Sequence, residues 1–580
     1  MFRKNLESLE KINKKLAAKI YRIPLKDVQD KISIIKNDNN EYSLVVNNQN
    51  IDDAQNPIKS CEEIYKEQIK SAISMHDFII VFGLGIGNLL DYTFEKSIAN
   101  IIVYESDLHI LRFVMEYVDL TKYFDSGRCY ITDNIAECSN YIESKYLLDD
   151  KIECVYLKNY VILKPNEFNL LTDSIYLACQ SKIIDMNTIK VHSKTWIENT
   201  FYNINNLSNQ YPLSILSNKF KGKTALILGA GPSLRDNIEK IKENRNKFVI
   251  FTVHRVLETL RINDIIPDFC IIVDTSWVAD SITKDFEYIK KIHFITDIRS
   301  DNYINMLPIN NRFTYYPNTS TYAKELHSRM FNDLPLYETG GTSTICAYHC
   351  AKIMGFKNII FTGIDLAFKN DIVYCDGNKV SESSEHSGKI VGVERELTKI
   401  KSITGEYINT RTDYAMFAKQ FENLFLHDKT ANIFNLTTFG AFIQGMKYAD
   451  LEKILQNINP QTLSINEEIN KTINSAKSLQ NKIKENSDKI IKYEKEKTSA
   501  ILKDIDEWYE LYSNGKDYFD YATKIITKIT TSMILQEYIQ IELLKFTKLV
   551  LSNNEDEKKV FLQELFLLIR NYAKNLYNLI

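Results

Sequence analysis

Neither a C-x-x-C pair nor a dense disulfide framework occurs among the nine cysteines of this 580-residue chain. That excludes the small disulfide-stapled class and fits a reducing compartment. No apolar run approaches the ~20 residues needed to span a bilayer, so membrane insertion is not expected. Met1-Phe-Arg-Lys-Asn leads into a charged helical pattern and lacks the apolar core of a secretory leader. Charge of one sign is missing too: 72 Lys and Arg against 75 Asp and Glu leave a net −3. With basic residues scattered over amphipathic helices there is no nucleic-acid footprint. These absences together predict a cytoplasmic protein. At 580 residues it is too long for one core and calls for about three domains.

The informative segment is Lys223-Thr-Ala-Leu-Ile-Leu-Gly-Ala-Gly-Pro-Ser-Leu234, joined downstream by Asn358-Ile-Ile-Phe-Thr-Gly-Ile-Asp365. Each apolar run reads as a buried parallel strand ending in glycine, the place where doubly wound α/β folds put ligands. Gly229 and Gly231 allow a sharp turn and close approach to a ligand, Pro232 suits a helix start, and Ser233 suits a cap. The exposed N–H groups of such a turn would receive a phosphate or carboxylate. Two common signatures are absent. A dinucleotide site needs a small residue where Leu234 stands and an acid after the next strand, which instead runs into Val253-His254-Arg255. A Walker loop needs Lys-Ser/Thr after its last glycine.

Coarse periodicity divides the chain into an N-terminal α+β segment (1–75), a Rossmann-like domain with a bridging helix (76–210), a central domain (211–455) and a helical C-terminal domain (456–580). The predicted fold is α/β: a Rossmann-like domain, a central doubly wound parallel sheet, and an α-helical bundle. Central strands are expected at Ala225–Leu228, Phe248–Thr252, Phe269–Val273, His293–Ile295 and Ile359–Thr362, with a helix over Ser343–Met354. In the second segment a glycine-rich turn at Gly83–Gly87, then a strand ending in Glu105, suits a ribose site or a methyltransferase; a vestigial Rossmann-like domain is the favoured reading. The C-terminal helices carry apolar stripes and no catalytic cluster, which suits protein binding.

Gly229-Ala-Gly-Pro-Ser-Leu234, Glu338-Thr-Gly-Gly-Thr-Ser-Thr344 and Gly355 to Asp365 resemble the bacterial sialyltransferases that use CMP-activated sugars. The arrangement is still more similar to the motility accessory factors, the Maf flagellin glycosyltransferases, over about Lys221 to Asp450. That resemblance implies metal-independent transfer of a nonulosonic acid, pseudaminic or legionaminic in type, from its CMP ester to Ser or Thr of flagellin, in support of flagellum assembly and motility. It implies flagellin and the CMP-sugar as partners, and no cofactor.

The same resemblance assigns a nucleotide-sugar site to Gly229, Gly231, Pro232, Ser233, Asp274, Thr275, Gly340, Gly341, Thr342, Ser343 and Gly363, and His254, which ends the second strand, is placed to contact the base or ribose. Asp274 stands where the sialyltransferases offer Asn, and capping by Asp274 is the plainer account. Asp365 is read as positioning the cytidine or a loop backbone. His386, in a polar loop after Asp365, is the expected general base, since an imidazole takes a hydroxyl proton near neutral pH. That loop is shorter than in the sialyltransferases, and a surface histidine is the simpler alternative. No Asp-x-Asp motif lies at a strand end, so no metal site is expected. Rival readings are a hydroxymethylpterin pyrophosphokinase-like enzyme using ATP and Mg²⁺, a non-catalytic flagellin-binding protein, and a methyltransferase acting at Gly83–Gly87.

Overall fold

The computed structural model describes every residue except 148–149, 208–209, 319, 332–333, 335–340, 369–374, 376–388, 391–392, 395–396, 457, 459–464, 516–518, 541, 544–554 and 580. The chain forms two compact units, Met1–Lys190 and Val191–Ile580, where the sequence reading drew four segments. The division falls inside one long helix, α1 (Pro165–Asn205).

In the first unit an antiparallel sheet joins β1 (Ile32–Lys36), β2 (Tyr42–Val46) and β3 (Gln49–Asn50). A parallel sheet follows, made of β4 (Phe78–Phe82), β5 (Asn100–Tyr104), β6 (Cys129–Thr132) and β7 (Ile152–Tyr156), in the order β6-β5-β4-β7. β4, Phe-Ile-Ile-Val-Phe, is buried at all five positions, as a strand covered on both faces must be.

The second unit is built on nine strands: β8 (Gln210–Pro212), β9 (Thr224–Leu228), β10 (Val249–Val253), β11 (Phe269–Ile272), β12 (His293–Asp297), β13 (Asn311–Tyr315), β14 (Asn358–Thr362), β15 (Asn432–Asn435) and β16 (Lys447–Tyr448). Their order is β16-β15-β14-β9-β10-β11-β12-β13-β8, and every neighbouring pair is parallel. Period-two alternation splits the strand residues between two cores. Ala225, Ile227, Val249, Phe251 and Phe361 face one layer, while Leu226, Leu228, Ile250 and Ile360 face the other. From β9 the chain steps outward through β13, then returns to lay β14 on the opposite side of β9. The carboxyl ends of β9 and β14 therefore flank the topological switch point, where open α/β sheets bind ligands.

A third core joins helices distant in sequence. Ile197, Phe201 and Ile204 of α1 pack with Tyr322, Leu326 and Met330 of α2 (Thr321–Met330). The same cluster takes in α3 (Lys477–Ser513), α4 (Phe519–Thr530), α5 (Met533–Tyr538) and α6 (Glu555–Leu579). On α3, Ile483, Ser487, Ile490, Glu494, Thr498, Ile501, Ile505 and Trp508 recur at three- and four-residue steps and form the buried stripe. Among the described residues, the C-terminal helices thus share an interior with α1 and α2.

Candidate functional site

At the switch point the turns after β9 and β14 bind each other. Gly229 N donates to Thr362 O at 2.9 Å and Gly231 N to Gly363 O at 2.8 Å. Ser233 N donates to Asp365 Oδ2 at 2.8 Å, its hydroxyl donates to Asp365 Oδ1, and Gly363 N donates to that hydroxyl oxygen at 3.2 Å. Asp365, 2% exposed, is thus the anion held by the first turn. This corrects the expectation that the N–H groups of Gly229, Gly231 and Ser233 stand open to a phosphate.

The glycines are needed for a reason the sequence did not reveal. A Cβ on Gly229 would lie 2.3 Å from Gly363 O, and one on Gly363, at φ +72°, 2.3 Å from Gly229 O. Their close approach is backbone to backbone. Ser233 is not a helix cap but the second residue of a 3₁₀ turn, Pro232–Asn237, that begins at Pro232 as expected. Gly440, at φ +124°, passes over Asp365 in turn, with Ala441 N donating to Asp365 O at 2.8 Å.

Further along the rim, β10 runs into His254 and β11 into Asp274 and Thr275. The His254 side chain is 2% exposed, and its Nδ1 lies 3.4 Å from Asp274 Oδ2 without a hydrogen bond. Burial pushes the His254 pKa down, against the opposing charge of Asp274. The Asp274 side chain is 39% exposed. Thr275 Oγ1 is 3.3 Å from His192 Nδ1. His192 is likewise pushed down by burial, again opposed by Asp274.

The second half of α1 closes this part of the rim. Asn199 donates to the carbonyls of Thr275 (2.8 Å) and Arg299 (3.1 Å), and Asn203 to those of Ile298 and Ser300. Arg299 pairs with Asp297 through two hydrogen bonds and lies over the Trp196 ring at 4.6 Å. The sequence predicts only a bridging helix here and does not single out Asn199, Asn203, Trp196 or Arg299. The signal was present as Asn at four-residue spacing on one helix face.

The third motif is described in part, since Gly340 and His386 lie outside the described residues. Gly341 adopts φ +75°. Thr342 caps the helix Ser343–Met354, its Oγ1 accepting from Ile345 N at 3.3 Å. The cap is thus Thr342, and Ser343 is the first helical residue. In the first turn Cys346 Sγ accepts from Tyr315 Oη at 3.3 Å, which brings this helix end to the carboxyl end of β13. Among the described residues no group of three potential ligands could hold a metal ion.

In the first unit the glycine-rich turn is filled from within. A Cβ on Gly83 would strike the Tyr160 ring at 2.4 Å, and one on Gly85 would meet Asp52 Oδ1 at 2.6 Å. Asp52 Oδ2 accepts from Leu44 N (2.9 Å) and Ile86 N (3.2 Å). Glu105 accepts from Leu84 N, Asp107 N and the Tyr160 hydroxyl, and burial pushes its pKa up to about 7. The carboxylate expected to meet sugar hydroxyls meets Tyr160. Among the described residues no helix is long and apolar enough to cross a membrane.

Residues 198–371 match the family model described as 6-hydroxymethylpterin diphosphokinase MptE-like. An uncharacterized protein from Treponema pallidum (strain Nichols) is 32% identical over 93 residues, 16% of this chain and 43% of that protein's length. The solved structure of a Maf glycosyltransferase from Magnetospirillum magneticum AMB-1 superposes with a TM-score of 0.60 at 14% identity, covering 100% of this chain and 94% of that one. In fold, then, the whole chain is similar to a Maf glycosyltransferase, and the MptE-like match contains β8 to β14 with both glycine turns.

Proposed function

We propose that this chain is a cytoplasmic glycosyltransferase that moves a nonulosonic acid, of pseudaminic or legionaminic type, from its CMP ester to Ser or Thr of flagellin. The observation that carries the reading is the whole-chain likeness of fold to a Maf glycosyltransferase. The three motifs Gly229–Leu234, Gly341–Thr344 and Gly363–Asp365 agree with it. In this reading the CMP of the donor lies along the rim from the Gly229–Ser233 turn towards Gly341–Ser343, and its sugar faces Asp274 and Thr275. Asp365 positions the Ser233 turn and Gly363 lets the two turns close, so both act on the donor through the backbone. No metal is called for, since hydroxyls, N–H groups and the helix dipole at Ser343 screen the departing phosphate.

The test is incubation of the full chain with CMP-pseudaminic or CMP-legionaminic acid and flagellin, read by intact mass. A flagellin mass increase that survives EDTA supports the reading; an unchanged mass with both donors rejects it. The match of residues 198–371 to a pterin diphosphokinase-like family favours a second reading. Calorimetric titration separates the two: CMP binding without metal belongs to the first, and tighter, Mg²⁺-dependent ATP binding to the second.

A further inference from the structure

Four carboxylates stand within a few residues of the ends of β11, β12 and β14, and three of them are consumed by the fold. Asp297 is clamped by two hydrogen bonds from Arg299. Asp301 accepts from Val278 N at 3.1 Å and Tyr303 N at 3.0 Å. Asp365 is spent on Ser233. Asp274 differs: its side chain is more than a third exposed, and it faces the buried imidazole of His254.

His254 supplies an independent observation. A buried ring nitrogen without a hydrogen bond is unusual enough to need a reason, and His254 Nδ1 is one. Asp274 Oδ2 lies 3.4 Å from it, longer than an ordinary hydrogen bond, as catalytic contacts often are in unliganded sites. His254 also sits at the end of β10, between the Gly231 turn of β9 and Asp274 of β11. Those two turns stand roughly 10 Å apart, two inter-strand spacings, on the same rim.

We propose that Asp274 is the proton acceptor of the transfer reaction and that His254 is its positioning residue, an assignment that rests on the glycosyl-transfer reading above. The acceptor hydroxyl oxygen forms its bond to the anomeric carbon as the carbon–oxygen bond to the CMP phosphate breaks. The electron pair leaves with the phosphate, and the hydroxyl proton passes to the Asp274 carboxylate. His254, neutral and with its hydrogen on Nδ1, donates to Oδ2 and turns the other carboxylate oxygen towards the acceptor. Arg255 acts against a positive charge on His254, while Asp274 and Asp301 act for it. His192 faces the same carboxylate from α1 through Thr275.

The experiment measures CMP release and flagellin mass for the full chain and for Asp274→Asn, Asp274→Ala, His254→Gln and His386→Ala. Asp274→Asn is expected to lose at least ~10²-fold in turnover, the scale of a lost general base, with CMP affinity within about threefold of the parent. Added formate should restore part of the turnover of Asp274→Ala, which no purely structural role for the carboxylate would allow. His254→Gln should lower kcat with little change in KM, and add nothing to Asp274→Asn in the double variant. Parental turnover in Asp274→Asn overturns the assignment. So does a CMP affinity that falls in step with turnover, which would make Asp274 a nucleotide contact, or a His386→Ala variant that alone loses the base. A parent chain that releases no CMP with either donor overturns the functional reading, and this assignment with it.

Discussion

Gly363 combines two constraints that substitution can separate. At φ +72° any side chain is strained, and its Cβ would also press on the Gly229 carbonyl at 2.3 Å. Gly405 shares the first constraint, φ +93°, with nothing within 4 Å of its Cβ. Gly405→Ala should therefore cost about 1 kcal/mol, and Gly363→Ala about 3 kcal/mol or more, both measured by denaturant unfolding. Equal losses would show that the two turns do not lock. Glu494 is a residue of another kind, a carboxyl on the buried stripe of α3 whose Oε1 accepts no hydrogen bond and pairs only at 4.0 Å with Arg329. Burial raises its pKa from 4.5 to about 7. It holds its proton more tightly folded than unfolded, so its contribution to stability falls as pH rises from about 4.5 to 7, then levels. The loss is on the order of 3 kcal/mol. Glu494→Gln should raise the thermal midpoint at pH 8 and leave it nearly unchanged at pH 4.5. A variant that gains nothing at pH 8 would show that the native carboxyl ionises at no cost.

Among the elements, the strands that were legible are those whose apolar runs are unbroken. β9, β10, β11, β12 and β14 were all read within a residue or two of their ends. β13 is not legible because Asn-Arg-Phe-Thr-Tyr begins with a polar and a charged residue. That charge is affordable inside the sheet because Arg312 donates to Thr296 Oγ1, Asn203 Oδ1 and Asn305 Oδ1, partners that no local pattern announces. β8, β15 and β16 are short and lie at or near the sheet edges, where little apolar sequence is required. The site was legible to the same extent. Gly229, Gly231, Gly363 and Asp365 do come together in the fold, but they serve one another, a tertiary fact that single strands do not encode. The C-terminal helices were read as a bundle from their periodicity, yet periodicity names an apolar face without naming what covers it. Removing the chain after residue 464 would uncover Ile197, Phe201, Ile204, Tyr322, Leu326, Met330 and Phe331. At ~1.5–3 kcal/mol each, that approaches or exceeds the whole stability of a domain. The truncated chain is expected to lose cooperative unfolding and to bind a hydrophobic dye. A sharp thermal transition with CMP binding intact would show that the bundle folds apart from the rest.

For the whole molecule, two Rossmann-like sheets in one chain raise the question of how many nucleotides it binds. Each has a glycine turn at a strand end, and each turn holds a carboxylate of its own: Asp365 at Ser233, Asp52 at Ile86. The surroundings differ. In the first unit Tyr160 lies on Gly83, its hydroxyl goes to the fully buried Glu105, and Leu157 and Asp52 crowd Gly85. A nucleotide there would have to expel a buried ring and take the Tyr160 hydroxyl from the buried Glu105, a lost partner costing ~1–3 kcal/mol. In the second unit the lock between turns leaves the rim beyond it with an exposed carboxylate at Asp274. Under the proposed function, one site per chain is expected. Titration of the full chain with CMP is expected to give a stoichiometry of one, and S-adenosylmethionine or NAD should give no saturable heat. Gly83→Ala should lower the thermal midpoint of the first unit and leave CMP affinity unchanged, because its nearest clash is with the Tyr160 ring of that same unit. Saturable binding of S-adenosylmethionine, lost in Gly83→Ala, would mean that Tyr160 yields to a ligand and that the first unit is a working site.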